Sequence, residues 1–304
     1  MRIGFIGRGR MGRPMLDRLA EAGHDITVLV RRADIRADAE AEGLRCAATV
    51  EEAVREADAV FVVVLTDDQV RSVCLGPEGA LAGMRPGAAL VQHTTCAPDT
   101  VQLLAQKGAE RGVEVLDAAL SGGPHDIAAS RLTLWVGGDG ALLARLRPVL
   151  ETYASPIVPV GPVGNGQRVK LVNNALFVAQ VGLVADAVRL ARSLGIEERT
   201  ILEAVQQGSG SSRALDVVAR GGSVDAVAER LADLMSKDVA VVREAARRAG
   251  VDLGLVGSVL SSDTVVGRVL GTGRPPGPRA FPNPSPPSLS STARTIQEAR
   301  HERP

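Results

Sequence analysis

An amine and two amides lie within one turn of a long apolar segment. Lys170 and Asn174 are four residues apart and Asn173 is three from Lys170, so a helix would place all three on one side. Polar groups on an apolar helix are costly without partners, and the cluster therefore predicts a lined cavity. A lysine whose pKa is lowered by burial can take or deliver the proton that accompanies hydride transfer at an alcohol or carbonyl carbon. The alternative is a lysine that merely extends from a buried helix to water.

A glycine-rich loop near the N-terminus predicts the hydride carrier. Residues 7–12 read GRGRMG, after a segment typical of a strand and before a helical one. In such a loop Gly7 permits the tight turn, Gly9 lets the backbone approach a diphosphate, and Gly12 lets helix and strand pack closely. The free N–H groups and the dipole of the helix would then favour the diphosphate of a dinucleotide. The alternative is a glycine turn that binds no ligand.

The end of the second predicted strand indicates which dinucleotide is bound. An NAD site usually has Asp or Glu there, which accepts a hydrogen bond from the ribose 2′-hydroxyl. This chain has Arg31 and Arg32 after Val30 instead. A guanidinium can bind a 2′-phosphate through two hydrogen bonds, so the pair predicts NADP in preference to NAD. The alternative is that both arginines only face solvent, and this alternative is strongest for Arg32.

Composition narrows the class of protein further. The chain has 304 residues, which suggests two domains, and 35 basic against 35 acidic residues give a formal net charge of +0. That balance argues against a nucleic-acid partner, which requires a basic face. We expect no membrane span, since no apolar run reaches about 18 residues, and no secretory signal. Cys46, Cys74 and Cys96 lack metal-site spacing, so we expect no metal, reduced thiols and a cytoplasmic location.

Short apolar segments alternate with amphipathic ones over residues 1–162. This alternation predicts an α/β domain with a doubly wound parallel sheet of the Rossmann type. Residues 163–271 are predicted to form an all-α domain that begins with an apolar helix buried on nearly all sides. The proline-rich tail at 272–304 is predicted to be disordered. The predicted strands cover 2–6, 26–30, 60–65, 88–92, 113–117 and 132–136, and the predicted helices 13–22, 167–194, 198–207, 224–234 and 236–248.

Three blocks in a fixed order resemble the β-hydroxyacid dehydrogenase family, that of 3-hydroxyisobutyrate dehydrogenase. They are GFIGRGRMGRPM at 4–15, DAALSGG at 117–123 followed by LT at 132–133, and GNGQRVKLVNN at 164–174. A weaker fourth block is Lys237 followed by Asp238. The resemblance extends over about residues 1–255. It implies a nicotinamide cofactor, and a dimer or tetramer with the helical domain at the interface.

The resemblance also implies roles for individual residues. Lys170 matches the catalytic lysine, and Asn174 matches an amide that contacts substrate. The loop of Ser121, Gly122 and Gly123 matches the segment that holds the substrate carboxylate, and its hydroxyl and N–H groups suit an anion. An ordinary glycine turn is the alternative for that loop. The residues that match cofactor contacts are Gly7, Gly9, Arg10, Met11, Gly12, Leu65, Thr66, Thr95 and Lys237, the last of which could also reach substrate or simply be solvated.

Departures from the family pattern lie around these blocks. Arg8 replaces the usual Leu of the glycine loop, and Val30 replaces the usual Asn before Arg31. Asp126 is one of three residues that replace small Gly and Ala residues after the Ser-Gly-Gly loop. The proline-rich tail replaces the family's last helices. We expect these changes to bear on substrate identity and oligomer packing rather than on hydride transfer.

Together these patterns predict an NADP(H)-dependent oxidoreductase that interconverts a small 3-hydroxy acid and its semialdehyde, with Lys170 as general acid and base. A second hypothesis is reduction of another small carbonyl, such as glyoxylate or succinic semialdehyde, or of an imine. A hypothesis of another class is a non-catalytic sensor or scaffold that binds NADPH, against which the presence of Lys170 argues. The expected partners are a small carboxylate substrate and further copies of the chain in a homodimer or homotetramer, with no nucleic acid and no membrane.

Overall fold

A twisted eight-stranded sheet forms the N-terminal part of the chain in a computed structural model, which describes residues 1–260. The strands lie in the order β3-β2-β1-β4-β5-β6-β7-β8, so the direction of winding reverses between β1 and β4. This arrangement confirms the predicted Rossmann sheet. The strands are β1 (Arg2–Ile6), β2 (Asp25–Leu29), β3 (Arg45–Ala47), β4 (Ala59–Val62), β5 (Ala89–Gln92), β6 (Glu114–Ser121), β7 (Leu132–Gly137) and β8 (Ala154–Pro159).

Helices cover both faces of this sheet. Alternate residues of β4 enter opposite cores: Phe61 packs in the cluster that includes Leu16, whereas Val60 and Val62 pack in the cluster that includes Leu104. Burial on both faces explains why the central strands are apolar at every position. The helices between the strands are α1 (Gly12–Glu21), α2 (Ala33–Ala41), α3 (Val50–Val54), α4 (Asp67–Cys74), α5 (Ala80–Gly83), α6 (Pro98–Ala109), α7 (Pro124–Ala128) and α8 (Gly140–Leu150).

One pair of strands departs from the predicted parallel sheet. β7 runs antiparallel to β6, with Ser121 opposite Thr133 and Asp117 opposite Gly137. The short connection through α7 is too brief for the crossover that a parallel return requires, so the chain turns back on itself. β3 and β8 were not among the predicted strands, because β3 has three residues and β8 contains two prolines.

The chain beyond the sheet is helical as far as the structure describes it. Its helices are α9 (Asn165–Ser193), α10 (Glu198–Val205), α11 (Arg213–Gly221), α12 (Val224–Ala249) and α13 (Gly254–Val259). The prediction of two helices at 224–234 and 236–248 is wrong, because α12 is continuous and has no Gly or Pro between Val224 and Ala249. Residues 261–271 of the predicted helical domain and the tail at 272–304 lie outside the described residues.

The long helix α9 has two different sides. Lys170, Asn174 and Val178 are buried, whereas Leu176 and Leu183 are more than half exposed. The prediction that the helix is buried nearly all round is therefore wrong, because only part of its circumference packs on the sheet and on α12. By length and composition α9 could cross a bilayer, but 56% of its most apolar window is buried within the chain, as in a core helix.

Candidate active site

The glycine loop lies where the order of strands reverses. Gly7 follows β1 with a φ of +115°, a conformation that side chains rarely adopt. A Cβ there would lie 2.1 Å from the carbonyl oxygen of Val63, just past β4, and a Cβ on Gly12 would lie 1.9 Å from that of Gly7. Gly9 instead faces open space, which leaves its backbone accessible to a ligand. The loop therefore occupies the crevice in which doubly wound sheets bind ligands.

The first turn of α1 leaves backbone donors available for an anion. Met11 provides no side-chain cap, and the first turn contains no acidic residue. The N–H groups at this end and the helix dipole therefore suit a diphosphate. Arg10 is exposed beside them, whereas Met11 is half-buried and packs against the core. The residues of the loop thus fit a dinucleotide.

Two arginines follow β2 at the same edge of the sheet. Val30 is buried and donates its N–H to the carbonyl of Ala47 at 2.9 Å, which fixes the end of the strand. Arg31 and Arg32 come next and are both exposed, with Arg32 at the start of α2. The two positions directly after Val30 are basic, where an NAD site commonly has a carboxylate.

Two further loops border the crevice. Leu65 is 65% exposed just after β4, and the hydroxyl of the next residue, Thr66, caps α4. Thr94 fastens the loop after β5 to this one, since its hydroxyl accepts from the N–H of Val64 at 2.9 Å and donates to the carbonyl of Val64 at 3.1 Å. Thr95 follows and is half-buried. The hydroxyl of Thr66 is therefore occupied by capping α4. Leu65, the residue before it, is an exposed apolar side chain of this loop.

A buried hydrogen-bond network joins the sheet to α9. The carboxylate of Asp117, on β6, accepts from the backbone N–H of Gln167 at 3.0 Å and from its side-chain amide at 3.0 Å. The same amide donates to the carbonyl of Thr94 at 3.1 Å, and its oxygen accepts from the N–H of Cys96 at 3.0 Å. Gln167 therefore ties the first turn of α9 both to β6 and to the loop that contains Thr95.

A glycine allows this close approach of helix and sheet. A Cβ on Gly166 would lie 2.6 Å from the carbonyl oxygen of Asp117 and 2.7 Å from that of Trp135. Burial raises the pKa of Asp117 to about 6, while N–H groups from Gln167 and Gly166 favour the ionised carboxylate. At neutral pH most of the carboxyl is ionised and acts purely as an acceptor for the N–H donors around it.

Lys170 and Asn174 continue the side of α9 that begins with Gln167. Lys170 lies one turn after Gln167 and is only 9% exposed, and Asn174 lies about one turn further and is buried. Across residues 1–260, no side chain or backbone group makes a hydrogen bond or ion pair with Lys170 Nζ. The amine is therefore free to interact with a ligand in the adjoining space.

Polar residues of α9 and α12 form a hydrogen-bonded group near this amine. Asn174 donates to Asp238 Oδ2 at 2.7 Å, and Lys237 Nζ donates to Asp238 Oδ1 at 2.7 Å. Asn173 in turn donates to Asn174 Oδ1 at 3.2 Å. Burial lowers the pKa of Lys170, the negative charge of Asp238 opposes that effect, and the positive charge of Lys237 adds to it. Lys170 therefore releases its proton more readily than an exposed lysine does.

The Ser-Gly-Gly loop hydrogen-bonds to a carboxylate of the protein itself, that of Asp126. The N–H of Gly123 donates to Asp126 Oδ2 at 2.8 Å, and His125 Nε2 lies 3.2 Å from the same oxygen. A Cβ on Gly122 would lie 2.7 Å from that oxygen. The N–H of Gly123 is thus occupied by Asp126, and the assignment of Ser121, Gly122 and Gly123 to substrate binding stays a prediction.

The sequence patterns assign no role to three residues of this arrangement, Asp117, Gln167 and Asp238. Gln167 stands one turn before Lys170, and this spacing alone places it on the same side of the helix. His93, just after β5, belongs to the core. Its Nδ1 donates to the carbonyl of Ala118 at 2.6 Å, so the neutral ring accepts from the hydroxyl of Tyr153 at 2.9 Å, and burial lowers its pKa to about 4.

Comparison with known proteins identifies the family. The family model for the NAD binding domain of 6-phosphogluconate dehydrogenase matches residues 2–161, more than half of the chain. A second model, described as NAD-binding of NADP-dependent 3-hydroxyisobutyrate dehydrogenase, matches residues 164–263. The chain belongs to the β-hydroxyacid dehydrogenase family. The resemblance inferred from the three sequence blocks is thereby confirmed.

Relatives within the β-hydroxyacid dehydrogenase family are similar over most of the chain. The NAD-dependent L-serine dehydrogenase of Pseudomonas aeruginosa is 34% identical over 253 residues, which cover 81% of this chain and 85% of that protein. The 2-hydroxy-3-oxopropionate reductase of Escherichia coli is 32% identical over 219 residues, with coverages of 71% and 74%. The solved structure of Mycobacterium tuberculosis 3-hydroxyisobutyrate dehydrogenase with L-serine has a TM-score of 0.76 at 29% identity, and the match covers 85% of this chain and 90% of that one. The family comprises oxidoreductases of hydroxyacids that use a nicotinamide dinucleotide.

The network around Gln167 leads to a prediction about the placement of Lys170. Gln167→Met keeps the length of the side chain but removes both of its polar ends. We expect kcat to fall by about 100-fold, because a displacement of about 1 Å at a catalytic group can cost that much. The Kd for NADPH should rise by a smaller factor, about tenfold or less, because Gln167 holds the loop around Thr95 but makes no hydrogen bond to the glycine loop. Steady-state kinetics on 3-hydroxy acids and fluorescence titration measure the two quantities.

Gln180→Met is the matched control, since Gln180 lies further along α9 and outside the network. A decrease in kcat no larger than that of the control would show that the network does not position Lys170. Equal losses in kcat and in cofactor affinity would point to general disruption of the fold.

Proposed function

We propose that the chain is an NADP(H)-dependent oxidoreductase that interconverts a small 3-hydroxy acid and its semialdehyde, with Lys170 as the general acid and base. The observation that carries this proposal is a buried amine with no protein partner in the described part of the chain, on the helix that Asp117 and Gln167 hold against the cofactor edge of the sheet. A nicotinamide dinucleotide, when bound, supplies or accepts the hydride. The chain itself must bind the substrate and handle the proton.

Lys170 is suited to the proton step in both directions. In reduction its ammonium donates a proton to the carbonyl oxygen, which becomes the hydroxyl of the product. In oxidation the neutral amine takes the hydroxyl proton as the hydride leaves the carbon. A pKa lowered by burial makes both forms accessible closer to neutral pH than for an exposed lysine. Asn174, held by Asp238 at 2.7 Å, lies on the same side of α9 and can orient the substrate.

The substrate class follows from the anion-binding loop and from the relatives. The hydroxyl of Ser121 and the N–H of Gly122 offer hydrogen bonds to a carboxylate. L-Serine is a 3-hydroxy acid and 2-hydroxy-3-oxopropionate is a semialdehyde, and the names of two relatives contain these compounds. Both observations favour a carbonyl substrate that carries a carboxylate over an imine. A non-catalytic role as an NADPH sensor would leave the buried amine of Lys170 without a purpose.

Removal of the Lys170 amine tests the proposal. We expect Lys170→Met to reduce kcat by about 10² to 10⁴-fold, the usual contribution of general acid–base catalysis. Fluorescence titration should still detect NADPH binding, because the dinucleotide loop is formed by the other domain. Lys107→Met is the control, since Lys107 is exposed on α6 and pairs with Glu110. Retained turnover would overturn the assignment, and binding without turnover by the unaltered chain across a broad panel of carbonyl acids would favour the sensor.

The pKa of Lys170 also predicts how activity depends on pH. Because reduction needs the protonated amine, its kcat/KM should be constant at low pH and fall as pH rises through the lowered pKa of Lys170, while that of oxidation should rise. Asp238→Asn removes a negative charge that raises this pKa. The falling limb of reduction should therefore move to lower pH in Asp238→Asn. An unchanged or upward-shifted limb would contradict the role given to Asp238.

The proposed preference for NADP rests on the arginines after β2. Arg31 is exposed and, among the described residues, makes no hydrogen bond or ion pair. We expect NADPH to have the higher kcat/KM, and Arg31→Leu to lower that value about tenfold or more while changing the value for NADH little, since a hydrogen bond to a charged group contributes about 1.5–3 kcal/mol. A higher kcat/KM for NADH in the unaltered chain would overturn the preference, and the NAD-dependent relative shows that the family contains such enzymes.

The exposed side of α9 supports association of copies of the chain. Val172, Leu176, Leu183, Leu190 and Leu194 are each more than half exposed and are spaced by four or seven residues, so they form a single stripe along the helix. Exposed apolar stripes of this kind mark protein interfaces. We propose a homodimer or homotetramer that covers this stripe.

With two buried thiols, Cys74 and Cys96, and no disulfide among residues 1–260, we also propose a cytoplasmic location.

Light scattering tests the oligomer. We expect a mass of two or four chains, and the mass of a single chain for Leu183→Glu, because a carboxylate in an apolar interface is costly to desolvate. Leu255→Glu is the control, since Leu255 is exposed on α13 and lies outside the stripe. A monomer in the unaltered chain, or an unchanged mass in Leu183→Glu, would contradict the proposed interface.

A further inference from the structure

Arg8 lies inside the dinucleotide loop, yet its side chain is buried. Only 8% of this side chain is exposed, and its Nη2 donates to Glu42 Oε2. Its Nε is buried and has no hydrogen-bond partner. A guanidinium has five N–H donors in a fixed plane, so the pairing with one carboxylate oxygen leaves donor capacity unused.

The carboxylate of Glu42 is shared between two arginines. Arg13, in the first turn of α1, donates to Glu42 Oε1 at 2.6 Å, while Arg8 contacts the other oxygen. The hydrogen bond from Arg8 lowers the pKa of Glu42, so the carboxylate is ionised at neutral pH. Asp17, on α1, is the further acidic group beside this cluster. If Arg8 moved away, Glu42 would still keep its hydrogen bond with Arg13.

Arg8 and Arg31 follow two adjacent parallel strands of the sheet. Ile6, the last residue of β1, pairs with Leu29, the last residue of β2, so the segments that carry Arg8 and Arg31 leave the sheet at the same edge from adjacent parallel strands. In Rossmann folds the ribose 2′-hydroxyl or 2′-phosphate lies at the end of the second strand. Arg8 is flanked by Gly7 and Gly9, and Gly9 faces open space. Arg8 therefore lies in the loop at the sheet edge where Rossmann folds bind this part of the cofactor.

We propose that Arg8 is a second cation for the cofactor's 2′-phosphate and that Glu42 holds it in place until the cofactor binds. On binding, the guanidinium exchanges the Glu42 carboxylate for the phosphate, with which it can form two hydrogen bonds. Arg13 then neutralises Glu42. This inference rests on the proposed preference for NADP and identifies a residue that contributes to it besides Arg31.

Binding measurements on the full chain test this role without any catalysis. The probes are NADPH, NADH, and the pair adenosine 2′,5′-bisphosphate and 5′-AMP, which differ only in the 2′-phosphate. We expect Arg8→Leu, the residue usual at this place in the family, to raise the Kd for NADPH and for the bisphosphate about tenfold or more. The Kd for NADH and 5′-AMP should change less than about threefold. Arg55→Leu is the control, since Arg55 is exposed and pairs with Glu51.

Glu42→Gln should change the Kd for NADPH in the opposite direction to Arg8→Leu. Removal of the charge that holds Arg8 should lower the Kd for NADPH about threefold or more and leave that for NADH unchanged. Arg8→Leu combined with Glu42→Gln should abolish this gain. If Arg8→Leu does not fold, the Kd values of Glu42→Gln for NADPH and NADH decide the role of Arg8.

The outcomes separate this inference from the proposed function. If the unaltered chain binds NADH more tightly than NADPH, the NADP preference is overturned and the inference with it. If the unaltered chain prefers NADPH but Arg8→Leu weakens NADPH and NADH equally, Arg8 only connects the loop to α2 and this inference alone is overturned. Weaker NADPH binding in Glu42→Gln would also overturn it.

Discussion

The contact between Asp117 and Gln167 fixes the position of Lys170 relative to the sheet. A strand of the sheet and the first turn of a long helix meet there through two hydrogen bonds of 3.0 Å, with a glycine between them. Because α9 is a rigid rod, fixing its first turn also fixes Lys170 one turn later. The same glutamine holds the backbone on either side of Thr95 through Thr94 and Cys96. One side chain therefore sets the cofactor loop and the amine relative to each other.

The amine itself is held in an unfavourable state that the surrounding residues make tolerable. Burial of the Lys170 side chain disfavours the charged ammonium and lowers its pKa. Asp238 limits this cost by supplying a nearby negative charge, and Asn174 and Lys237 satisfy both oxygens of that carboxylate. The two long helices, α9 and α12, thus hold an amine whose pKa is lowered. Perturbed pKa values of this kind cluster at functional sites, in agreement with the proposed role of Lys170.

Local patterns in the sequence were sufficient to predict the glycine loop and the buried polar side of α9. The spacing of Gly7, Gly9 and Gly12 places the loop in the crevice, and the four-residue spacing of Lys170 and Asn174 places both on one buried side of α9. Such patterns depend on neighbours in the chain, and they are therefore visible in a single sequence. The family comparison confirms the fold and the family that the three blocks suggested.

Contacts between distant segments could not be derived in that way. Asp117 and Gln167 are 50 residues apart, and Arg8 and Glu42 are 34 apart, so no periodicity connects them. Asp126 was visible as a departure from the family, but only the structure shows that it accepts the N–H of Gly123. The reversal of β7 and the exposed stripe of α9 likewise depend on how elements pack. The packing of distant segments decides the direction of β7 and the exposed side of α9, whereas local sequence propensity decides which segments form helices and strands.

A crystal structure with NADPH and an unreactive substrate-like acid would show where Lys170 lies relative to the cofactor's ring. We expect Lys170 Nζ about 3 Å from the oxygen on the carbon that faces the nicotinamide, within hydrogen-bond distance. A nitrogen that points into bulk solvent, or that lies far from the substrate on the other side of the crevice, would contradict it.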